Sequence, residues 1–373
     1  MISKGFVCLS IFLCGLFPQT IDDAINDLYN FRFDSAIDKL DILAQESSND
    51  PLVPFLKIST QWQRSLLSDT PEDSYEIIYN GINESVPFYH EMIKKYPDNQ
   101  NYRLFLGSLY GLKSRIELAQ GKWMELIFSG AKGFMFIDEA RKKDPELYDV
   151  YMPIGTLEYF LCKTPQTMQI AGNLFGLQSD CAVAIEKLET ASSKGRFSWI
   201  ESRNVLSYVY LYLERDYDKA LEVTSSLVNE FPGHPFFAYL HAEALVRLQK
   251  YDEYSYLEPR LKSFYESGPR NQRVECEDKH LYIQAMIQYD KGNYSQAIAR
   301  CDEIIDGYEI EFKWILGYAH FIKGKSLELS GNRISAIPQY KSATLYLQHY
   351  PEYEEATILI SNPIFEEPSS ISR

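Results

Sequence analysis

Short turns of three residues recur along this chain, and each turn separates two stretches with the periodicity of a helix. Each turn is followed by a small or apolar residue three positions after its third residue. The sets are Phe31-Arg32-Phe33 with Ala36, Gly121-Lys122-Trp123 with Leu126, Arg215-Asp216-Tyr217 with Ala220, Gly292-Asn293-Tyr294 with Ala297, and Gly331-Asn332-Arg333 with Ala336. No convincing run of strict apolar alternation appears after Ile21, so strands are not expected. The chain is therefore predicted to be all-α.

The small residues explain how such helices would pack. Two antiparallel helices, each about 20 Å long, touch best where their crossing point carries no bulk. Alanine or glycine at that point permits close approach, and an aromatic residue at the turn fills the end of the pair. One pair cannot bury its own apolar face, so neighbouring pairs must stack into a curved array.

These residues resemble the tetratricopeptide repeat, a unit of 34 positions. The matching residues are Tyr217, Ala220 and Pro232 in one unit, Leu245 and Tyr251 in a degenerate second unit, Gly292, Tyr294, Ala297 and Ile304 in a third, and Gly324, Gly331, Ala336, Tyr340 and Ala343 in the last. The resemblance implies a tetratricopeptide-like α-solenoid of antiparallel helix hairpins that form a right-handed superhelix.

The middle of the chain resembles a narrower group. Its residues are Gly107-Ser108-Leu109, Gly121-Lys122-Trp123, Gly130 and Gly133, Asp144-Pro145, Tyr148-Asp149, Gly155 and Phe175-Gly176. They look like those of uncharacterised secreted bacterial tetratricopeptide-like proteins and, more distantly, of the tetratricopeptide protein 39 group. The resemblance implies a secreted or envelope-associated helical solenoid with no assigned chemistry.

The first twenty residues differ from the rest in composition. Lys4 precedes an uncharged, mostly apolar stretch of thirteen residues, 5–17, which Pro18 closes. That length is too short to span a bilayer and matches a signal peptide. We expect secretion across the inner membrane into the periplasm or envelope. An uncleaved anchor and a lipid-modified Cys14 remain the alternatives.

Domain boundaries follow from these patterns. The predicted division is 1–20 for the signal peptide or N-terminal anchor, 21–100 for N-terminal helical hairpins, 101–200 for a divergent tetratricopeptide-like middle segment, 201–350 for the repeats, and 351–373 for a C-terminal tail.

Charge and residue pattern argue against several functions. The net charge of −15 repels a phosphate backbone, so nucleic-acid binding is not expected. His90-Glu91 lacks the second histidine of a zinc-protease motif because position 94 is Lys94. No nucleophile or phosphate-loop motif is complete. We predict no enzyme activity, no metal and no cofactor.

Cysteines are few outside the leader. Cys162, Cys181, Cys276 and Cys301 form no Cys-x-x-Cys pair and no disulfide framework, and each is expected to act as a small core residue. A bridge between Cys162 and Cys181 is an alternative in an oxidising compartment.

A groove on the concave face is the predicted binding site. In tetratricopeptide arrays the first helix of each pair lines that face. By this resemblance the groove residues are Tyr212, Tyr282, Tyr289, Phe321, Lys325 and Glu328. An aromatic groove with scattered charges suits a peptide or protein segment. The alternative is that the tyrosines pack between helices.

An irregular apolar segment, 165–176, interrupts the repeat rhythm. Either it folds under the solenoid as a short helix, or Met168, Ile170 and Phe175 form an exposed apolar lip. Such a lip would touch a protein partner or a membrane surface peripherally.

The predicted function is therefore a non-enzymatic protein–protein interaction scaffold of the bacterial cell envelope or periplasm. A small-ligand receptor or enzyme with a pocket in residues 107–180 is the alternative, and a purely structural spacer is a third hypothesis.

Overall fold

The computed structural model describes residues 20–310 and 313–364, and within them the chain forms eighteen α-helices and no strand. The helices are α1 Ile21–Tyr29, α2 Phe33–Glu46, α3 Leu52–Leu66, α4 Pro71–Lys95, α5 Asn101–Ala119, α6 Trp123–Lys143, α7 Tyr151–Cys162, α8 Gln166–Leu174, α9 Cys181–Lys194, α10 Trp199–Tyr208, α11 Tyr217–Glu230, α12 Pro235–Arg247, α13 Tyr251–Ser267, α14 Arg270–Asp290, α15 Tyr294–Gly307, α16 Trp314–Leu329, α17 Arg333–Tyr346 and α18 Glu352–Ser361. A 3-10 turn, Tyr148–Val150, precedes α7, and a π-helical turn, Val209–Leu213, follows α10. In the described ranges, every helix is too short or too polar to span a bilayer. The predicted signal peptide falls almost wholly outside the described residues.

Neighbouring helices pack on each other along the chain, which confirms the predicted all-α architecture of stacked helix hairpins. The predicted crossing residues lie where close packing needs them, because Ala220, Ala297 and Ala336 are all fully buried. One helix departs from the rhythm. α7 and α9, which precede and follow α8 along the chain, pack on each other as a hairpin, and α8 makes few contacts with α7.

α5 and α6 form the most closely packed pair of helices. A methyl group added at Gly133 would lie 2.8 Å from the carbonyl oxygen of Gly107. One added at Gly107 would lie 2.7 Å from the carbonyl oxygen of Gly133. Gly107 and Gly133 therefore bring the two backbones into contact, whereas a methyl group added at Gly130 would meet only the Ser114 side chain, at 3.9 Å.

The tripeptide turns share one backbone geometry. Their first residue has a positive φ at Phe31, Gly121, Arg215, Gly292 and Gly331, and so does Gln249 in the degenerate unit. In five of these six turns the next N–H donates to the carbonyl five residues earlier, for example Asn293 to Gln288 at 2.8 Å. This is the Schellman closure of a helix. The third turn residue then begins the next helix.

The N-terminal hairpins contact the middle of the array. The Asn30 side chain accepts a hydrogen bond from the backbone N–H of Gly233 at 2.8 Å, and the Phe31 ring lies 4.6 Å from that of His234. The backbone N–H of Asn271 donates to the carbonyl of Leu67 at 3.0 Å. The solenoid therefore curves far enough for α1–α3 to pack on α11–α14.

The C-terminal boundary differs from the prediction. The segment expected to be a tail after residue 350 continues as α18, which packs on α17. Glu352 explains this, because it is buried and accepts a hydrogen bond from the Tyr318 hydroxyl at 2.8 Å. Residues 365–373 lie outside the described ranges.

The turn geometry predicts opposite effects at two equivalent positions. Gly292→Ala places a side chain at φ +73°, so we expect the free energy of unfolding to fall by about 1 kcal/mol. Gln249→Gly removes a side chain at φ +56°, so we expect a gain of about 0.5 kcal/mol. Urea unfolding midpoints measure both. Shifts in the same direction would contradict the shared geometry.

Candidate functional site

Aromatic rings from three hairpins meet in the interior of the array. Tyr212 lies in the π-helical turn, Tyr282 on α14, and Trp314 and Tyr318 on α16. The ring centroid of Tyr212 is 4.9 Å from that of Trp314, and the centroids of Tyr282 and Tyr318 are 5.6 Å apart. The side of the array that these helices share is therefore filled by its own side chains.

The buried Glu243 carboxylate on α12 ties these rings together. The hydroxyls of Tyr212 and Tyr282 both donate to it, the second at 3.0 Å, and Arg247 pairs with it at 3.1 Å. Burial and the nearby carboxylate raise the pKa of both phenols well above the ordinary value. Because these polar groups are satisfied inside the protein, the network is structural.

Little empty space remains in this interior. The cavity that Tyr212, Glu243, Lys279, Tyr282 and Trp314 line has a volume of about 10 Å³. A single water molecule needs about that much room. A peptide cannot enter here unless the hairpins separate.

The six predicted groove residues divide into two groups. Tyr212, Tyr282, Phe321 and Glu328 are buried, and Glu328 accepts hydrogen bonds from Tyr340 and Arg333 within the chain. Tyr289 and Lys325 are half-buried, with the Lys325 ammonium 5.3 Å from the Tyr289 ring and 3.1 Å from Glu355. As placed, these side chains pack between helices, which is the alternative that the sequence left open. Partner binding by them stays a prediction.

The apolar segment 165–176 adopts the second of its two predicted arrangements, in which its large side chains form an exposed apolar lip. Met168, Ile170 and Phe175 are each more than half exposed, and the buried residue of α8 is Gly172, which packs on Leu161. Contact of this lip with a partner stays a prediction.

A disulfide closes the segment that carries this lip. Cys162, at the end of α7, pairs with Cys181, at the start of α9. The bridge settles the alternative that the sequence left open. Cys276 and Cys301 are buried free thiols, as expected of core residues.

Possible metal ligands do not cluster in the described ranges. No group of three or more His, Cys, Asp or Glu side chains is placed there to hold a metal ion. Burial lowers the pKa of His234 to about 3 and that of His241 to about 4. The interior cavity above and an open cleft are lined by residues outside 107–180, and the alternative of a receptor or enzyme with a pocket in 107–180 stays a prediction.

One open cleft does exist, at the junction of the N-terminal hairpins with the array. Its volume is about 460 Å³, within the range of ligand-binding clefts, about 300–1,000 Å³. Phe31, Phe33, Leu67 and Pro269 contribute apolar surface. Its other lining residues are Arg32, Asp34, Ser35, Arg64, Ser68 and Gln272.

The two arginines of the cleft differ in freedom. Arg32 is held by Asp27 at 2.6 Å and by Asn26 at 2.8 Å. Among the residues that the structure describes, Arg64 forms an ion pair only with Asp34, at 2.9 Å, and both side chains are more than half exposed. Such an exposed ion pair contributes about 0–1 kcal/mol, so a partner carboxylate can replace Asp34 at little cost.

The sequence did not reveal this cleft. Its walls come from residues 31–35, 64–68 and 269–272, and the first and last of these segments lie about 240 residues apart along the chain. The Phe31-Arg32-Phe33 turn was visible, but its neighbours depend on the closure of the array. A local pattern carries no signal for such a contact.

Comparisons with known proteins add little to this picture. No family model matches the chain, and no curated protein sequence does. Among solved structures, the crystal structure of yeast Tom70 is similar at 13% identity, over 91% of this chain and 80% of that one, with a TM-score of 0.38. Identity and TM-score are both low, and the fold assignment rests on the helices described above.

Asp278 predicts a pH dependence of stability. Burial and the nearby Glu277 and Glu275 raise the pKa of this carboxyl to about 7, and its Oδ2 atom has no hydrogen-bond partner among the described residues. Between about pH 4 and 7 the folded state therefore binds more protons than the unfolded state, so stability falls as pH rises. At pH 8 we expect the free energy of unfolding of Asp278→Asn, measured by urea unfolding, to exceed that of wild type by on the order of 2 kcal/mol. Near pH 4.5 the two free energies should be equal. An equal difference at both pH values would contradict this.

Proposed function

We propose that this protein is a non-enzymatic protein-interaction scaffold that holds a polypeptide segment in the cleft between its N-terminal hairpins and α13–α14. The proposal rests on one observation, the open cleft of about 460 Å³ with an apolar floor and a replaceable ion pair at its mouth. The buried residues of the predicted groove offer no comparable surface. We therefore place the proposed binding site at this junction and not on the concave face.

The floor of the cleft is held in place before any partner arrives. Phe31 packs at 5.0 Å from Phe33 and 5.8 Å from Phe236, so it is fixed by aromatic contacts on both sides of the junction. A preorganised apolar floor loses little conformational entropy when an apolar side chain binds. This supports recognition of a segment with an exposed apolar residue.

Charged side chains at the rim of the cleft restrict which polypeptide segments can bind. Arg64 and Arg32 present two guanidinium groups, while Asp34 is the exposed acid opposite them. A partner carboxylate next to the apolar residue would displace Asp34 and pair with Arg64. The proposed ligand is therefore a short extended segment with an apolar side chain and a neighbouring acidic group.

A location in the bacterial periplasm or cell envelope belongs to the same proposal. The leader-like residues 5–17 and the Cys162–Cys181 disulfide support it, because disulfides persist in oxidising compartments and are rare in the cytosol.

A peptide selection on the purified chain tests the cleft. We expect the enriched peptides to share an apolar residue near an acidic one. Ser68→Trp fills the cleft, and Arg64→Glu reverses the charge at its mouth, so each should weaken binding of these peptides by about 10-fold in titration calorimetry.

Arg300→Glu is the matched control, because Arg300 forms a similarly exposed ion pair with Glu303 far along the chain. It should leave peptide affinity unchanged. Equal affinity in Ser68→Trp and wild type would contradict the proposal, as would a selection without any shared pattern.

A further inference from the structure

On α6 the usual distribution of side chains between the buried and the exposed face is reversed. Its buried face consists of small residues at Ser129, Gly133 and Ala140, together with Ile137. Its outward face carries large apolar side chains that are each more than half exposed: Trp123, Met124, Ile127, Phe128 and Met135. Folding normally places the large side chains inside and leaves the small ones to solvent.

The packing of α5 explains how this inversion is tolerated. The contact between Gly107 and Gly133 holds the two helices by close backbone approach rather than by large side chains. The next hairpin does not cover the other side, because α7 touches α6 far less than α5 does. An apolar face over about three turns of helix is thus left without a partner.

The exposed apolar surface continues beyond α6. α7 contacts both α6 and α8, and it exposes Leu157 and Phe160. α8 adds its lip and Leu174, and residues 164–179 include no charged side chain. Three successive helices therefore expose large apolar side chains.

Charge distinguishes this region from the rest of the protein. Residues 101–143, which contain α5 and α6, have eight basic and four acidic side chains, a net charge of +4. Since the whole chain carries −15, the remainder carries −19. Lys122 and Lys132 are exposed, with their ammonium groups 5.8 Å from the Tyr79 ring and 4.4 Å from the Tyr110 ring, and Glu125 is the exposed acid nearest them on the helix. Asp138, further along, is paired with Arg141 and Lys142.

We propose that the outward face of α6, extended by α8, docks on the surface of an anionic lipid bilayer, with α6 lying in the plane of the headgroups. The apolar side chains would enter the boundary between headgroups and acyl chains, and the Trp123 indole suits that depth. Lys122 and Lys132 would contact anionic headgroups. The strongly acidic remainder of the chain would point away from the membrane.

Other occupants fit the observations less well. Neither the interior cavity nor the open cleft, the candidate peptide site, is lined by residues of this face. A symmetric pair of copies joined here would bring the lysines of both copies together, which opposes association. A helix face that combines exposed apolar side chains with nearby basic ones matches an anionic membrane surface best.

Vesicle binding by the full chain tests the proposal. We expect sedimentation with vesicles of about 30% phosphatidylglycerol in phosphatidylcholine, weaker binding to phosphatidylcholine alone, and a further loss as salt rises to about 0.5 M. The double variant Ile127→Ser, Phe128→Ser should bind at least about 10-fold more weakly. Lys122→Glu with Lys132→Glu should remove the preference for phosphatidylglycerol.

The matched control is Tyr256→Ser with Ile334→Ser, because both side chains are 87% exposed and lie elsewhere. It should bind vesicles like wild type, as should the cleft variant Ser68→Trp, so failure of the cleft and failure of this face are separable. Circular dichroism checks that every variant is folded. The apolar residues 5–17 are common to all variants, so a difference between them reports on α6.

Brominated lipid gives a second readout at a defined residue. Trp123 is the exposed one of the four tryptophans, so part of the fluorescence should be quenched in wild type and this part should be absent in Trp123→Phe. Equal quenching in both, or equal vesicle binding by wild type and the Ile127/Phe128 variant, would overturn the proposal. So would dimerisation through this face without vesicle binding.

Discussion

The whole structure depends on helix crossings at which a small residue lets two backbones approach. Ala220, Ala297 and Ala336 provide this in the repeat units, and Gly107 with Gly133 provides an extreme form in the middle segment. Because the crossing residue takes almost no space, the larger side chains of each helix can turn toward the next hairpin and bury their surface there. Dispersion and burial of apolar surface then accumulate along the array.

The local part of this plan could be read from the sequence. A turn residue that needs a positive φ, the start of the next helix two residues later, and an alanine at the crossing are all short-range features. Gln249 shows the limit of the glycine signal, because it adopts the same conformation without being glycine. The helix after residue 350 was missed because its contacts, with Tyr318 and Arg215, lie in distant units.

The direction in which each helix face points was harder to predict than the turns and helix boundaries. Tyr212 was placed on the groove face by its repeat position, but the π-helical turn and curvature of the array bring it against Trp314 and Tyr318. A closed interior requires knowledge of how several hairpins add up. The same holds for α6, where Trp123 and Phe128 are exposed and the buried side of the helix is occupied by the close glycine contact with α5.

The contacts between α1–α3 and the middle of the array alter the physics of a repeat protein. In an open array each unit meets only its neighbours, and the terminal units come apart first and independently. Here hydrogen bonds join residues 203 and 205 positions apart, at Asn30 with Gly233 and at Leu66 with Asn271. Fraying of the first hairpin must therefore disturb α12 and α14, and folding must close a chain segment of this length, which slows it. The units lose their independence, and the array is expected to unfold as a single cooperative body.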